Sequence, residues 1–462
     1  MKIRFVFFVA LCLQMAACSS SLDEDAPDIP GLETVADTAV SQDLVPEFSG
    51  EMELAAAPDA TEILPEVVKF QCRATIPERI VADNEDATFD LGPYLMAPTP
   101  NAITVMWRTL EEEDGAVLYG VGDDTSSEIV DPGEKTIHAV RIEGLQPDTR
   151  YAYKVRSGTR TSDVHHFYTA PEEGGSFQFA SWGDNQGGDP FPDLIDAIVA
   201  DAPHVLLGLG DHVGDGRIDW HWKDHLFDPG RKLFHEVPLF AAFGNHGKNG
   251  ILYYKLMGYE NLAISPESES VYSWTYGNTF FLVVDTNGLF FDIGEVETEW
   301  STWIKQQMAS PAAQEATWHI AYAHEPGAVE NSSQVECGGT VYKPVTGWLL
   351  PLLDEHGFHA YMCGHAHLYE RTMFGNLAHI VSGGGGGGLE YCEEQPAFVS
   401  HLEVRHHFIR GLVGCDTLRL EAVALDTGEV FDFIELGTGP AGTILDQGPT
   451  PFYFQDPQEA TP

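Results

Sequence analysis

One repeated pattern restricts the fold of this chain: an apolar run typical of a buried strand ends directly in a short polar cluster. The pattern occurs five times in chain order: Phe177–Trp182 before Gly183-Asp184, His204–Leu209 before Gly210-Asp211, Pro238–Phe243 before Gly244-Asn245-His246, Trp318–Ala323 before His324, and Ala360–Cys363 before Gly364-His365-Ala366-His367. Short strands that alternate with helices are typical of strand–helix–strand units, in which the ends of neighbouring strands meet at one edge of a sheet. The polar clusters are therefore expected to converge.

The residue types in these clusters are those of a metal site. Carboxylates, an amide and neutral imidazoles suit zinc, manganese or iron. His365 and His367 would lie on one side of an extended backbone, whereas a sharp turn after the strand would splay them toward two neighbouring ions. In a chain with 19 histidines, a structural pair is the alternative for this segment alone. The five clusters together favour a metal centre.

The segments around these clusters predict an α/β catalytic part. Asp193–Ala200 and Glu297–Met308 carry apolar residues at helical spacing, and they would lie outside a sandwich of mixed sheets. Leu418–Leu425 and Phe431–Ile434 are predicted to form a closing hairpin. The six glycines of Gly383–Gly388 allow close backbone approach but lack the spacing of a nucleotide-binding loop, so structural slack and substrate contact both stay open for them.

A separate all-β unit is predicted ahead of the catalytic part. Ile103–Arg108 alternates as a half-buried strand does, and Leu145–Val155 is predicted as a turn followed by a strand. Short strands at this spacing suggest a sandwich. The L-x-P-x-T-x-Y pattern at Leu145–Tyr151 resembles a fibronectin type III fold. We expect Trp107 and Tyr151 to be core and corner residues of this unit and assign them no ligand.

The motif order G-D, G-D, G-N-H, H and G-H-x-H resembles the calcineurin-like metallophosphoesterase superfamily. The run G-H-A-H-L-Y-E-R at Gly364–Arg371 resembles the purple acid phosphatase branch, as does V-Y-S-W-T-Y-G-N at Val271–Asn278. The resemblance extends over roughly residues 88–436. It implies an α/β metallophosphoesterase catalytic domain, preceded by the fibronectin III-like domain that purple acid phosphatases carry.

The resemblance also implies a role for each residue at a matching position. One metal ion would be held by Asp184 and His367, the other by Asn245, His324 and His365, and Asp211 would bridge both ions. His246 would face the substrate and stabilise or protonate the leaving oxygen, where a histidine can contribute about 10²–10⁴-fold.

Three positions depart from the family pattern. Gly214 stands where purple acid phosphatases have the iron-binding tyrosine, and Gln186 stands where other members of the superfamily have a histidine. Gly247 follows His246 where an acid is usual. The first metal ion would therefore have one protein ligand fewer than in either subfamily, unless Gln186 or a water takes that position. Because the iron-binding tyrosine is replaced by Gly214, we expect a colourless enzyme. His212 is a further candidate for phosphate contact, with a solvated loop histidine as the alternative.

The implied chemistry is hydrolysis of a small phosphorylated substrate. Two ions of Fe, Zn or Mn, roughly 3.5–4 Å apart, would clamp the attacking and leaving oxygens. A metal lowers the pKa of bound water from 15.7 to about 7, so a bridging hydroxide would attack phosphorus without a covalent serine or cysteine. Acid phosphatase-like hydrolysis of phosphate monoesters is the expected activity. Phosphodiesterase or nucleotidase activity is an alternative, and a cell-surface binding or adhesion protein with a vestigial metal site is another.

The N-terminus predicts export. Lys2 and Arg4 precede the apolar stretch Phe5–Leu13, as in a secretory signal peptide over residues 1–17. The sequence Ala16-Ala17-Cys18 resembles a bacterial lipobox, which implies a lipid anchor on Cys18 and an outer-membrane lipoprotein of the cell envelope. Simple cleavage after Ala17, giving a secreted protein, is the alternative.

Composition and cysteine content complete the domain prediction. Ser19–Glu66 contains no lysine or arginine, and we interpret residues 18–87 as an acidic disordered tether. The net charge of −47 argues against nucleic-acid binding. The fibronectin III-like domain is expected over 88–172, the catalytic domain over 173–436 and a loose tail over 437–462. Cys337 and Cys392 could pair, but sequence does not settle a pairing, and Cys363 is expected to be buried.

Overall fold

The computed structural model describes residues 72–73, 75–172, 174–259, 262, 270–289, 293–329, 340–390, 399–438 and 443–447. The predicted signal peptide, Cys18, most of the predicted tether, Cys337 and Cys392 lie outside these residues. Among the described residues, no helix is both long enough and apolar enough to cross a lipid bilayer.

The strands alternate with short helices along the catalytic part. The described strands are β1 Leu91–Thr99, β2 Ala102–Val121, β3 Ser127–Glu143, β4 Arg150–Ser157, β5 Arg160–Thr161, β6 His165–Tyr168, β7 Phe177–Trp182, β8 Val205–Gly208, β9 Leu239–Ala241, β10 Tyr272–Tyr276, β11 Thr279–Val283, β12 Trp318–Tyr322, β13 Ala328–Val329, β14 Thr340–Val341, β15 Ala360–Cys363, β16 Tyr369–Phe374, β17 Leu377–Ser382, β18 His401–Glu403, β19 His407–Val413, β20 Thr417–Ala424, β21 Val430–Gly437 and β22 Thr443–Gln447.

The described α-helices are α1 Phe191–Asp201, α2 Asp219–His221, α3 Asp228–Phe234, α4 Ile251–Met257, α5 Thr286–Leu289, α6 Ile293–Met308, α7 Pro311–Glu315 and α8 Leu350–Glu355. π-helical turns at Trp222–Phe227 and Val345–Leu349 and a 3₁₀ turn at Asn245–Gly247 join some of them. The two predicted helices correspond to α1 and α6. The apolar face of α1 buries Leu194, Ile195 and Ile198.

Two large sheets pack face to face, which confirms the predicted α/β sandwich. The first runs in the order β22-β21-β20-β19-β7-β8-β9-β1-β2-β4-β5, and its strands β7, β8 and β9 are parallel. The second runs β10-β11-β12-β15-β17-β16-β18, with β11, β12, β15 and β17 parallel. Phe179 of the first sheet meets Phe281 of the second edge-on at 6.2 Å. The parallel strands of the two sheets therefore lie in the two layers of one sandwich.

The N-terminal strands form the expected all-β unit, with Trp107 and Tyr151 buried in its core. The Tyr151 hydroxyl accepts a hydrogen bond from the backbone N–H of Gln146 at 2.9 Å, as a corner tyrosine does. This unit does not stand apart from the catalytic sheet, because β1 pairs in parallel with β9 at Met96 and Leu239.

Two expectations about the flanking segments need correction, and one disulfide was not predicted. The end of the predicted tether is not free, because Arg79 pairs with Asp148 and the backbone N–H of Ala82 donates to Glu236. The expected loose tail contains β22, whose backbone pairs with β21. Cys72 forms a disulfide with Cys415, a pairing that sequence did not indicate, whereas Cys363 is buried as expected.

Candidate metal centre

Each sheet supplies half of the site. Asp184 follows β7, Asp211 follows β8 and Asn245 follows β9, all in the first sheet. The three histidines His324, His365 and His367 follow β12 and β15 in the second sheet. The structure brings all six predicted ligands together where these strands end.

The backbone turns sharply at four of the site residues. Asp184, Gln186, Asp211 and His365 have φ values of 62°, 45°, 50° and 72°, in the left-handed region. Residues other than glycine seldom adopt this backbone conformation, and residues that do so cluster at functional sites. The turns redirect the chain where it leaves each strand, and the side chains then converge.

His324, Asn245 and His365 form one group of donors. The Nδ1 of His324 donates to the Leu209 carbonyl at 2.9 Å, which leaves its Nε2 facing inward. That Nε2 lies 2.9 Å from Asn245 Oδ1 and 3.3 Å from His365 Nδ1. His365 Nδ1 is itself 2.9 Å from Asn245 Oδ1. Three potential ligand atoms therefore meet at one point.

Asp184 and His367 form the second group. Asp184 Oδ2 accepts from the backbone N–H of His365 at 2.7 Å, while its buried Oδ1 has no hydrogen-bond partner among the residues that the structure describes. That Oδ1 faces His367 Nε2 at 3.6 Å. His367 Nδ1 donates to the Gly388 carbonyl at 2.7 Å, as ligand histidines commonly do with their second nitrogen.

Asp211 lies between the two groups. Its Oδ2 is 3.2 Å from His324 Nε2 and 3.1 Å from the side-chain nitrogen of Gln186. The Gln186 nitrogen is also 3.3 Å from His367 Nε2. The Gln186 side chain therefore lies against Asp211 and His367, at the second group of predicted ligands.

The buried carboxylates of Asp184 and Asp211 favour positive charge in the site. Burial disfavours a charged His324, yet Asp211 and Asp184 raise its pKa to about 10. Burial likewise opposes charge on His367, but Asp184 raises its pKa to about 9. Burial and the neighbouring His324 lower the pKa of His365 to about 3. Buried carboxylates, an unpartnered oxygen and converging imidazoles are the donor set of a divalent cation site, so these residues fit two metal ions.

His246 lies at the rim of the centre. Its side chain is 34% exposed, and its Nδ1 is hydrogen bonded to the Gly214 carbonyl at 2.8 Å. The backbone N–H of His246 donates to Asp211 Oδ1 at 2.7 Å, and its Nε2 is 3.9 Å from Asp211 Oδ2. The hydrogen bond at Nδ1 thus orients the ring, and the exposed part of the ring is accessible to a substrate.

His212 is neither solvated nor open to a substrate. Its side chain is buried against Gly208 and meets the Trp182 ring edge-on at 6.4 Å. Burial lowers its pKa to about 4, so the ring stays neutral. The expectation of a solvated loop histidine is wrong, because the ring packs inward under the first sheet.

The glycine run makes the close backbone approach that its composition allows. The backbone N–H groups of Gly385 and Gly387 donate to the carbonyls of Gly183 and Asp184 at 2.9 and 2.7 Å. A Cβ on Gly387 would lie 2.9 Å from the His367 ring. The run therefore packs directly against the two ligand loops, which requires the absence of side chains.

Glu325 and His225 are two further residues near the site that sequence did not single out. Glu325 is buried with His324 and His365, its carboxylate bonded to Thr286, and burial raises its pKa to about 7. His225 packs against Gly187 and accepts a hydrogen bond from the backbone N–H of Gly214 at 3.1 Å. Neither residue belongs to a strand-end motif, so only the tertiary structure identifies them.

Comparison with known proteins agrees with this geometry. Residues 161–369 match the calcineurin-like phosphoesterase family, and residues 93–169 match the purple acid phosphatase N-terminal domain. An uncharacterized protein of Mycobacterium tuberculosis is 25% identical over 278 residues, covering 52% of this chain and 51% of that protein. Purple acid phosphatase 15 of Arabidopsis thaliana is 23% identical over 276 residues, covering 51% and 49%. The chain thus spans about half the length of the curated relatives it matches.

Solved structures show the same fold. The purple acid phosphatase PPD1 from yellow lupin seeds superposes with a TM-score of 0.62 at 18% identity, covering 77% of this chain and 74% of that one. The PhoD structure gives a TM-score of 0.58 at 12% identity, covering 83% and 97%.

The sandwich, the ligand set and the sequence match give the catalytic region a metallophosphoesterase fold. Residues 161–369 resemble the calcineurin-like phosphoesterases, and residues 93–169 resemble the N-terminal domain of purple acid phosphatases. The family uses a dinuclear metal centre, and the described residues include candidate ligand groups such as Asp184, Asp211 and His324.

Proposed function

We propose that this protein is a dinuclear metal-dependent phosphatase that hydrolyses phosphate monoesters in the manner of an acid phosphatase. One observation carries the proposal: six ligand-type side chains from five strand ends of two sheets converge, with the buried Asp184 Oδ1 left without a hydrogen-bond partner. A decayed site in a binding or adhesion protein would not be expected to keep this complete convergence.

The residues divide the chemical work. When bound, two divalent ions supply an activated water and neutralise charge on the transferred phosphoryl group. Asp184 and His367 would hold one ion, Asn245, His324 and His365 the other, and Asp211 would touch both. His246, fixed through Gly214, is positioned to donate a proton toward the leaving oxygen. The Gln186 amide, which lies beside Asp211 and His367, would help to hold the first ion.

The first metal would have the uncharged amide of Gln186 where other members of the superfamily have a histidine, and Gly214 where purple acid phosphatases have the iron-binding tyrosine. In the structure the Gln186 side-chain nitrogen faces Asp211 and His367. Amide orientation is set by the local hydrogen-bond network. A bound cation would favour the opposite orientation, with Oε1 toward the metal. We therefore propose a colourless centre whose first ion is divalent and exchangeable, with Fe, Zn or Mn as candidates.

Turnover by the metal-loaded protein tests the proposal. The purified chain should be loaded with Mn²⁺, Zn²⁺ or Fe and assayed with p-nitrophenyl phosphate and bis(p-nitrophenyl) phosphate, with metal content measured in parallel. We expect faster hydrolysis of the monoester. Preference for the diester would indicate a phosphodiesterase of the same fold. No turnover of either compound at two metals per chain would exclude a phosphoesterase.

The proposed place of action is the cell envelope, with a lipid anchor at Cys18. The Cys72–Cys415 disulfide supports an oxidising compartment, because such bonds persist mainly in exported proteins. Labelling of the natural host with a radioactive fatty acid tests the anchor. The wild-type protein should take up label and the Cys18→Ser variant should not; label in the variant would contradict the anchor.

A further inference from the structure

One wall of the metal centre is formed by residues 214–221, here called the Trp220 wall. It is fastened to the loop that carries Asn245 and His246. The Gly214 carbonyl is hydrogen bonded to His246 Nδ1 at 2.8 Å, and the backbone N–H of Gly216 donates to the His246 carbonyl at 2.8 Å. A Cβ on Gly216 would lie 2.5 Å from the Gly247 carbonyl oxygen, so the two loops are in backbone contact. The wall is therefore held on the side of His246.

Trp220 is exposed on this wall yet fixed in place. Trp220 is 55% exposed, so part of its large aromatic surface is open to contact with a ligand. Its ring meets His221 edge-on at 4.1 Å and His225 edge-on at 5.4 Å. His221 and His225 stack on each other at 4.2 Å. Because His225 Nδ1 accepts from the backbone N–H of Gly214 at 3.1 Å, the indole is tied to the wall.

The rest of the wall combines charged and apolar residues. Arg217 forms an ion pair with Asp215, and Asp219 pairs with Arg108. A Cβ on Gly214 would lie 3.4 Å from the His225 ring and 3.6 Å from the His221 ring. The Trp220 ring is thus held, through these two histidines, next to the Gly214 backbone that contacts His246.

We propose that the Trp220 wall is a subsite for an aromatic leaving group, so that the preferred substrates are phosphate monoesters of aromatic alcohols. The aromatic group stacks on Trp220 while the phosphate lies at the metal centre and His246 faces the ester oxygen. This proposal rests on the proposed phosphatase function. Stacking of a planar ring on an exposed aromatic side chain typically changes affinity by about 5–150-fold, and we expect a preference of about 10-fold over an aliphatic group of similar size.

Binding and turnover together test the subsite. Benzylphosphonate, in which a methylene replaces the ester oxygen of phenyl phosphate, and butylphosphonate are titrated calorimetrically into the Mn²⁺-loaded full chain. The wild type should bind benzylphosphonate about 10-fold more tightly than butylphosphonate. Trp220→Ala should remove this preference, and Trp220→Phe should keep most of it. Leu110→Ala, at an apolar position of the N-terminal unit that is 73% exposed, should behave as the wild type.

Equal affinity for the two phosphonates in the wild type, or an unchanged preference in Trp220→Ala, would overturn the subsite. In turnover, Trp220→Ala should raise KM for phenyl phosphate and leave glycerol 2-phosphate unaffected. If the wild type hydrolyses both esters without preference, the subsite is wrong and the phosphatase function stands. If it hydrolyses neither at two metals per chain, the phosphatase function fails, and the phosphonate titration still decides the subsite.

Discussion

The chemistry of the site depends on where individual lone pairs and protons lie. The inward Nε2 of His324 is available because its other nitrogen is bonded to the Leu209 carbonyl, and Asp184 Oδ1 is available because no donor reaches it. The sequence predicted both residues as ligands from their position after strands. It could not predict the burial of His212 or the reach of Gln186, because both depend on rotamers that neighbouring segments select.

Asp211→Asn should abolish turnover and leave the fold intact. The substitution removes the charge that lies between the two ligand groups, 3.2 Å from His324 Nε2. We expect a loss of at least about 100-fold, since losing a single preorganised electrostatic contact can cost about 10²–10³-fold. Hydrolysis of p-nitrophenyl phosphate measures turnover, metal analysis measures the bound ions, and circular dichroism checks the fold. The control is Asp123→Asn, at a carboxylate 84% exposed in the N-terminal unit. Unchanged turnover in Asp211→Asn would refute the bridging role.

Gln186→Leu should lower the affinity for the first metal ion by about 10–100-fold, the range seen when groups around a metal are lost. Leucine has similar bulk and no donor atom, so the change tests the amide rather than the packing. Gln186→His, which restores the residue of other superfamily members, should tighten binding. Competition with a fluorescent chelator gives the affinity of each site without an activity assay. Equal affinities in all three proteins would show that Gln186 does not contact the metal.

At the scale of the element, the position of the ligands is set by how strands and loops pack on one another. Strand β16 follows His367 directly and is anchored by Arg371, which is fully buried and paired with Asp432 of β21 at 2.7 and 3.1 Å. The Tyr369 hydroxyl donates to the same carboxylate at 2.7 Å. In the sequence, the Tyr-Glu-Arg run is visible only as a family feature. Its structural role depends on the tertiary fold, because Asp432 lies 61 residues beyond Arg371 in the chain.

Asp432→Asn should destabilise the fold strongly. It leaves the Arg371 guanidinium buried without a countercharge, a change that typically costs about 3–5 kcal/mol. Urea denaturation followed by fluorescence measures the loss. The double variant Arg371→Met/Asp432→Leu removes both charges and should recover much of the stability. A double variant no more stable than Asp432→Asn would show that packing, rather than the unpaired charge, causes the loss.

The glycine run offers a matched test of loop packing. Gly383→Ala would place a Cβ 2.0 Å from the Ala366 carbonyl oxygen and 2.9 Å from Asp184 Oδ2, so the ligand loop must shift. Gly388→Ala, in the same run, would meet nothing within 4 Å. We expect Gly383→Ala to lose bound metal and Gly388→Ala to keep it. Metal content after dialysis distinguishes the two, and equal retention would contradict a packing role for the run.

At the scale of the whole molecule, the strong negative charge opposes the anionic substrate. The chain carries a net charge of −47, so its long-range field repels a phosphate ester that the metal centre attracts locally. Raising the salt from about 0.01 to 0.15 M shortens the Debye length from about 30 to 8 Å and screens this repulsion. We expect KM for phenyl phosphate to fall severalfold with kcat nearly constant. A rise in KM with salt would mean that the field at the site entrance is attractive.

The sequence by itself determined the order of strands and polar clusters, the ligand residue types and hence the class of chemistry. These features are local, since an apolar run followed by a glycine and a ligand is read within a dozen residues. Only the tertiary structure decided which ligands meet, that β1 joins the catalytic sheet, that Cys72 bonds to Cys415, and that the Gly214 backbone orients His246. Those contacts join residues far apart in the chain, and their geometry follows from the packing of the two sheets, which no local pattern records.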